Sequence, residues 1–179
     1  MKNIYLVRHC AAAGQESTSI LTNEGKQQAL DLAEFLMDID IELVVTSPYL
    51  RAIDTIKPFC EKLILKIETD ERLKERILST KDYVDWMDKL KETYTDLDLK
   101  FEGGESSIEA MNRGIEVIEE MKKRAEFNIV LVTHGALMSL VLKHFEDSFG
   151  FDDWKKISNP DIYHLLIDTN ETIVRRIWK

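Results

Sequence analysis

The sequence predicts an α/β protein, a three-layer α/β/α sandwich built on a mostly parallel central sheet with an antiparallel edge. Three observations predict it. Apolar, β-branched runs of strand length alternate with stretches whose apolar residues recur at helical spacing, the pattern of parallel strands joined by crossover helices. The runs Ile4-Tyr5-Leu6-Val7 and Ile129-Val130-Leu131-Val132 contain no polar residue, as expected of strands covered on both faces. The last two strand-like runs, Ile162 to Ile167 and Thr172 to Ile177, are joined only by Asp168-Thr169-Asn170-Glu171, which fits a hairpin at one edge.

Taken in order, the first strand stops abruptly at Arg8-His9, and Ala11 to Ile20 follows as a small, polar stretch read as a mobile loop. Thr22 stands at an N-cap position ahead of Ala29, Leu32, Ala33 and Leu36, which share one helical face. Glu42 to Thr46 is the second strand. Ser47-Pro48 combines an N-cap with proline at a first helical position, so a helix is expected from Pro48 towards Lys62, with Arg51 in its first turn. Leu63 to Ile67, short and apolar, reads as a third strand.

Asp70 to Lys100 is rich in charge, with Trp86 and Tyr94 interleaved, and becomes helical only near Asp82 to Glu92; it reads as an excursion over a ligand site. Gly103-Gly104-Glu105-Ser106 turns the chain into a long helix with a stripe of Ile108, Met111, Ile115, Ile118 and Met121. The fourth strand ends at His134, Gly135 opens a helix over Ala136 to Phe145, and Ser158-Asn159-Pro160-Asp161 is a turn before the closing hairpin. No repeat or low-complexity linker interrupts residues 1–179, which are read as a single domain.

Composition narrows the function. The 179 residues are 44% hydrophobic with only three prolines, enough for one substantial core. A formal net charge of −9 leaves no basic stripe for a nucleic acid, and it requires any anionic substrate to be held by a local positive pocket. Two cysteines, Cys10 and Cys60, are too few for a disulfide framework and show no metal-ligand spacing, so reduced thiols and a cytoplasmic location are expected. Met1-Lys2-Asn3 running straight into a strand lacks the pattern of a secretory signal, and no segment is apolar enough to be a membrane span.

Chemistry is expected where the strands run out, because ligands of open α/β sheets gather beyond the carboxyl ends. Arg8, His9, Arg51 and His134 each stand at a strand end or in the first turn of the next helix. Converged, they form an anion site suited to phosphate. A neutral imidazole in such a positive field has a depressed pKa and keeps its lone pair near neutral pH, which makes phosphoryl transfer to a histidine nitrogen chemically reasonable. Glu75 is the best-placed acid by order along the chain.

Several blocks together carry a resemblance. Arg8-His9-Cys10 after an apolar strand, Leu21-Thr22-Asn23-Glu24-Gly25 before the first helix, and Thr46-Ser47-Pro48 leading to Arg51-Ala52 are followed by Leu73-Lys74-Glu75, Gly104-Glu105-Ser106 and Val132-Thr133-His134-Gly135. In this order they resemble the histidine phosphatase superfamily, the phosphoglycerate mutase-like proteins, in a short, phosphatase-type form. The resemblance implies that His9 becomes phosphorylated, that Arg8, Arg51 and His134 bind the phosphoryl oxygens, and that Glu75 is first general acid and then general base. It implies a hydrolase of phosphomonoesters that needs no metal or other cofactor, the arginines taking that electrostatic role. The expected partner is a small phosphorylated molecule, with a phosphoprotein as the alternative; no nucleic acid or membrane is expected, and the oligomeric state is left open.

Two departures bear on this. The glycine usual after the Arg-His pair is here Cys10, which could narrow the pocket floor or pack beneath it. The mutases place a phosphate-holding asparagine where this chain has Gln15, and their following loop is longer, so Gln15 is taken as substrate-binding in a compact phosphatase.

Plainer readings stand beside these. His9 and His134 could be satisfied by backbone bonds at strand ends, and Glu75 could be one more charge near Glu68, Asp70, Glu71 and Arg72. Glu105 reads as a charge at a helix N-terminus, Trp86, Trp154 and Trp178 as packing or lid residues, and His144 and His164 as structural. A thiol-nucleophile role for Cys10 is disfavoured, because no arginine follows it before Arg51. A mutase, a protein phosphohistidine phosphatase and a non-catalytic phosphoryl-binding protein are the rival functions.

Overall fold

A computed structural model describes residues 1–179. Its sheet has six strands in the order β3-β2-β4-β1-β5-β6. They are β1 (Lys2–Arg8), β2 (Leu43–Thr46), β3 (Ile67–Thr69), β4 (Asn128–Thr133), β5 (Asp161–Ile167) and β6 (Thr172–Arg176). The first four run parallel, and β5 and β6 add the antiparallel edge, so the expected architecture holds.

The unbroken apolar strands are explained by what covers them. Tyr5, Val7, Val44, Val130 and Val132 face one core with α1 (Asn23–Leu36) and α2 (Leu50–Leu63). Ile4, Leu6, Val45, Ile129 and Leu131 face the other, with α4 (Ser107–Lys123) and α5 (Gly135–Phe145). Successive side chains point to opposite faces, so a strand covered twice has no place for a polar residue until it leaves the core.

Boundaries moved in four places. The helix expected from Pro48 begins at Leu50, because Tyr49 is still extended and its N–H is taken by Ser47 Oγ at 3.2 Å; Arg51 does lie in the first turn. That helix runs on to Leu63, and Ile64 closes it in the left-handed region at φ 55, so the expected strand Leu63 to Ile67 is displaced to Ile67–Thr69. The helix expected near Asp82 to Glu92 is α3, Trp86–Thr95. A short helix, α6 (Phe151–Trp154), was not expected.

The stripe on α4 also turns. Ala110, Met111, Gly114, Val117, Ile118 and Met121 are buried, whereas Ile108 and Ile115 are only half-buried. The small residues explain this: a Cβ on Gly114 would lie 2.6 Å from Val141 Cγ2, so α4 and α5 approach through them. Thr22 caps α1 as read, and Ser106 caps α4 in a capping box with Glu109.

Candidate active site

The register brings the two histidine-bearing ends together. Arg8 pairs with Thr133 across β1 and β4, and the His9 N–H donates to the Thr133 carbonyl at 3.0 Å. Thr46 lies opposite Val132, so β2 delivers Ser47 to the same edge. The His9 and His134 rings sit edge to face, with centroids 5.0 Å apart. Across the gap, Asn159 Nδ2 donates to the His9 carbonyl at 2.8 Å and fixes its backbone.

His9 is buried, and its Nδ1 stands 2.7 Å from the Cys10 carbonyl. That contact places the proton on Nδ1 and leaves the lone pair on Nε2, where Arg51 Nε donates at 3.3 Å. Burial, reinforced by the charges of Arg51 and Arg8, lowers the His9 pKa from 6.5 to about 4, although the Cys10 carbonyl opposes the shift. His9 is therefore neutral around pH 7. Cys10 is fully buried against Leu21 and Ala29, and its N–H donates to Thr55 Oγ1 at 2.8 Å. It packs beneath the site, and burial pushes its thiol up to about 12, which removes it as a nucleophile.

The arginines are held by neutral backbone. Arg51 is 1% exposed, and its Nη1 donates to the carbonyls of Gln15 at 3.1 Å and Glu16 at 2.8 Å. The polar loop thus holds Arg51 through main-chain oxygens, and its base is closed by an Ala12–Leu21 bridge instead of hanging loose. Arg8 Nη1 donates to the Ile157 carbonyl at 2.6 Å, while its buried Nε has no partner. Neither guanidinium pairs with a carboxylate, so both are available to an anion.

His134 is wholly buried, with Nε2 2.8 Å from Ser47 Oγ and Nδ1 without a partner. Burial and the neighbouring His9 and Arg51 push its pKa well below the usual histidine range. If the Ser47 hydroxyl donates to Nε2, the Nδ1 proton is left for a ligand oxygen. Tyr49 braces both side chains, its ring 5.0 Å from His134 and 5.1 Å from the Arg51 guanidinium carbon.

Glu75 reaches this cluster from a different element. Its Oε1 accepts the N–H of Arg76 at 2.7 Å and of Leu137 at 3.0 Å, and its Oε2 accepts the N–H of Ala136 at 3.2 Å. The donors at the start of α5 are thus given to this carboxylate. Glu75 is not a free surface charge, and the plainer reading of it is set aside.

Comparison with known proteins bears on the same residues. The sequence profile described as the histidine phosphatase superfamily, branch 1, matches residues 4–178. The chain belongs to the histidine phosphatase superfamily. It is thus an enzyme of a phosphatase family. Solved structures share its fold at low identity. Bacillus stearothermophilus YhfR is 21% identical with a TM-score of 0.81, covering 98% of this chain and 96% of its own. A mycobacterial glucosyl-3-phosphoglycerate phosphatase in complex with inorganic phosphate is 21% identical with a TM-score of 0.80, covering 99% and 96%. A phosphoserine phosphatase mutant from Entamoeba histolytica is 17% identical with a TM-score of 0.78, covering 97% and 95%. No curated protein sequence matches this chain significantly.

In this histidine phosphatase superfamily member, a cavity of about 440 Å³ opens beside Arg8 and Glu75, lined also by Gln15, Arg76, Leu78, Trp86, Leu90, Ala136 and Trp154. Gln15 is thus part of the cavity wall. Trp86 and Trp154, read as packing or lid residues, line it as well, whereas Trp178 packs on Phe35. A larger groove of about 700 Å³ along α2 and β3 includes Leu50, Ile53 and Ile67 but none of the clustered cationic residues. His164 stacks on Tyr5, and His144 meets Phe145 edge to face, away from the site.

Sequence reading missed the residues that hold Glu75. Arg113 Nη1 donates to the carbonyls of Arg72 at 2.6 Å and Lys74 at 2.8 Å, and Nη2 to the Glu75 carbonyl at 3.2 Å. Glu105 is not a helix-terminal charge: it pairs with Arg113 at 2.7 Å and accepts the Ile77 N–H at 3.0 Å. Arg113 sits on α4 like any surface cation, and only the position of Glu105 in Gly104-Glu105-Ser106 hinted at this.

Proposed function

We propose that the protein hydrolyses phosphomonoesters of small molecules through a phosphohistidine on His9. The observation that carries the reading is the convergence of an unprotonated His9 Nε2 with Arg8, Arg51 and His134 at the strand ends, with Glu75 bound at the start of α5 beside them. Nε2 attacks phosphorus, the bond from phosphorus to the ester oxygen breaks, and the leaving oxygen takes a proton from Glu75. Water then gives its proton to Glu75 and attacks the phosphohistidine, which releases orthophosphate and restores neutral His9. As the ester binds, Arg51 Nε moves its hydrogen bond from Nε2 to a phosphoryl oxygen and exposes the attacking lone pair. Arg8, Arg51 and His134 Nδ1 stabilise the charge that spreads over the phosphoryl oxygens, which is where such enzymes gain most of their rate.

A cavity of about 440 Å³ walled by Trp86 and Trp154 supports a small substrate over a protein one. Structural relatives named for glucosyl-3-phosphoglycerate and phosphoserine agree with that scale. All six strands sharing one sheet supports residues 1–179 as a single domain. The buried free thiols of Cys10 and Cys60 support a reducing, cytoplasmic setting. No helix is long and apolar enough to cross a membrane.

Quenching in alkaline detergent during turnover of a radiolabelled ester tests the mechanism. It should trap an acid-labile, base-stable phosphoenzyme that His9→Ala lacks, with activity down about a thousandfold or more. Unchanged hydrolysis in His9→Ala would refute the assignment.

A further inference from the structure

The turn between α6 and β5 bears on the site at two points, and an ion pair that lines no part of the cavity holds it. The Ile157 carbonyl accepts Arg8 Nη1 at 2.6 Å, the one hydrogen bond that the Arg8 side chain makes, and Asn159 Nδ2 reaches the His9 carbonyl at 2.8 Å. Asp161, at the end of the turn, is wholly buried and is the Cα partner of Arg8 across β1 and β5. Its Oδ1 accepts the N–H of Ile162 at 2.9 Å and Arg176 Nε at 3.0 Å. Its Oδ2 accepts the N–H of Ser158 at 2.9 Å and Arg176 Nη2 at 2.7 Å. The same Nη2 lies 3.3 Å from Ser158 Oγ and 3.4 Å from the Lys156 carbonyl, so one guanidinium at the end of β6 spans the turn.

Asp161 and Arg8 are joined through a single peptide group. The N–H of Ser158 and the carbonyl of Ile157 belong to one planar unit and point in opposite directions. Fixing the N–H on the Asp161 carboxylate therefore aims the carbonyl at Arg8, and a charged acceptor at one end polarises the unit and strengthens the hydrogen bond at the other. The forked pairing of Arg176 fixes the direction of the carboxylate as well as its distance. Breaking that pair would strand a buried charge, so the turn is kept in the geometry that satisfies Asp161.

We propose that Asp161 and Arg176 are positioning residues for phosphoryl binding: together they orient the Ile157–Ser158 peptide, and that peptide aims the Arg8 guanidinium. The inference rests on the phosphatase reading, in which Arg8 binds the phosphoryl group, and it adds the last strand of the sheet to the machinery of the site.

The probe is inorganic phosphate, its dissociation constant read by calorimetry on the wild type, Arg8→Met, Arg176→Met and the double variant. Arg8→Met should weaken binding about tenfold to a hundredfold, the worth of a hydrogen bond to a charged group. Arg176→Met should weaken it about tenfold, within the range of coupling inside one hydrogen-bond network. In the Arg8→Met background the same substitution should change nothing further, because the guanidinium it acts through is gone. Arg176→Lys, which keeps the charge but loses the fork, should recover part of the affinity. A role confined to folding lowers the thermal midpoint and the fraction of molecules that bind, and it acts alike with or without Arg8. Equal factors in the two backgrounds would therefore overturn the proposal, as would an unchanged constant in Arg176→Met. If Arg8→Met itself leaves phosphate binding unchanged, the phosphoryl-binding role of Arg8 fails and takes the proposal with it. A non-additive cycle in a protein that hydrolyses no ester would leave the positioning role standing and overturn the phosphatase reading. If Arg176→Met does not fold, Arg176→Lys and Asp161→Asn take its place in the cycle, and the same loss of effect without Arg8 is required of both.

Discussion

The Glu75 carboxylate accepts the Leu137 N–H at 3.0 Å, so the candidate acid is fastened to the helix that begins directly after His134. The candidate acid and His134 are therefore positioned by one element. Glu75→Gln should lower kcat for an alkyl phosphate by about a hundredfold to ten-thousandfold, the usual worth of a positioned proton donor. An aryl ester such as p-nitrophenyl phosphate, whose leaving group departs without a proton, should still phosphorylate the enzyme. Water attack then becomes slow, and rapid-quench measurements should find a burst of p-nitrophenolate with phosphoenzyme accumulating. Equal losses for both esters, with no burst, would remove Glu75 from the proton path.

The buried His9 makes stability depend on pH in a definite direction. Its pKa falls from 6.5 in the open chain to about 4 in the fold, chiefly through burial. Between those values the unfolded chain binds the proton and the folded one does not, so stability is full above pH 6.5 and is lost as pH falls towards 4. His9 alone should account for about 2 kcal/mol of loss between pH 7.5 and pH 5. His134, shifted the same way, adds to it. Urea midpoints of the wild type and His9→Asn at the two pH values measure the term, and an NMR titration of the His9 ring should inflect near 4. An inflection near 6.5 would contradict the burial argument.

How much of this was legible in the sequence depended on what kind of atom did the holding. Arg8, His9 and His134 stood out because each interrupts an apolar strand where it leaves the core, and Arg51 because proline and serine mark a helix start. Gln15 was placed at the site, but the useful atom proved to be its carbonyl, which the side chain does not announce. Glu75 could be chosen only by order along the chain, since its partners are the N–H groups of Ala136 and Leu137, and a main-chain donor leaves no residue signature. Ser47 looked like a helix cap and is instead the partner of His134. Leu63 to Ile67 was misread because a short apolar run is equally the end of an amphipathic helix and the start of a strand.

Ile64 offers a stability test away from the site. It is a β-branched residue at φ 55 and is 94% exposed, so it contributes strain at the end of α2 and buries almost nothing. Ile64→Gly should stabilise the fold by about 1 kcal/mol, the glycine fitting the left-handed position that the helix end demands. Thermal unfolding should show a higher midpoint with activity unchanged. A lower midpoint would mean that the Ile64 side chain makes contacts worth more than the strain.

Gly135 is required by a neighbour and not by its own backbone. A Cβ there would stand 2.8 Å from the Arg8 guanidinium carbon and 2.9 Å from Arg8 Nε. Gly135→Ala should therefore displace Arg8 while leaving α5 intact, since alanine favours a helix. The inhibition constant for inorganic phosphate should rise about tenfold to a hundredfold, the worth of a lost hydrogen bond to a charged group. Unchanged phosphate inhibition would show that Arg8 does not grip the phosphoryl group from its observed position.

Arg113 should act on catalysis without touching substrate. Its guanidinium holds the carbonyls of Arg72, Lys74 and Glu75, and its partner Glu105 takes the Ile77 N–H, so the chain is pinned on both sides of the acid. Arg113→Lys keeps the charge but not the planar fork that spans these acceptors. A misplacement of about 1 Å at the acid can cost about a hundredfold, so kcat for alkyl phosphates should fall by about that factor with KM little changed. Because the defect is in proton delivery, p-nitrophenyl phosphate should suffer much less in its phosphorylation step, as in Glu75→Gln. A role confined to folding predicts something different: a lower thermal midpoint, and the same loss for every ester whatever its leaving group.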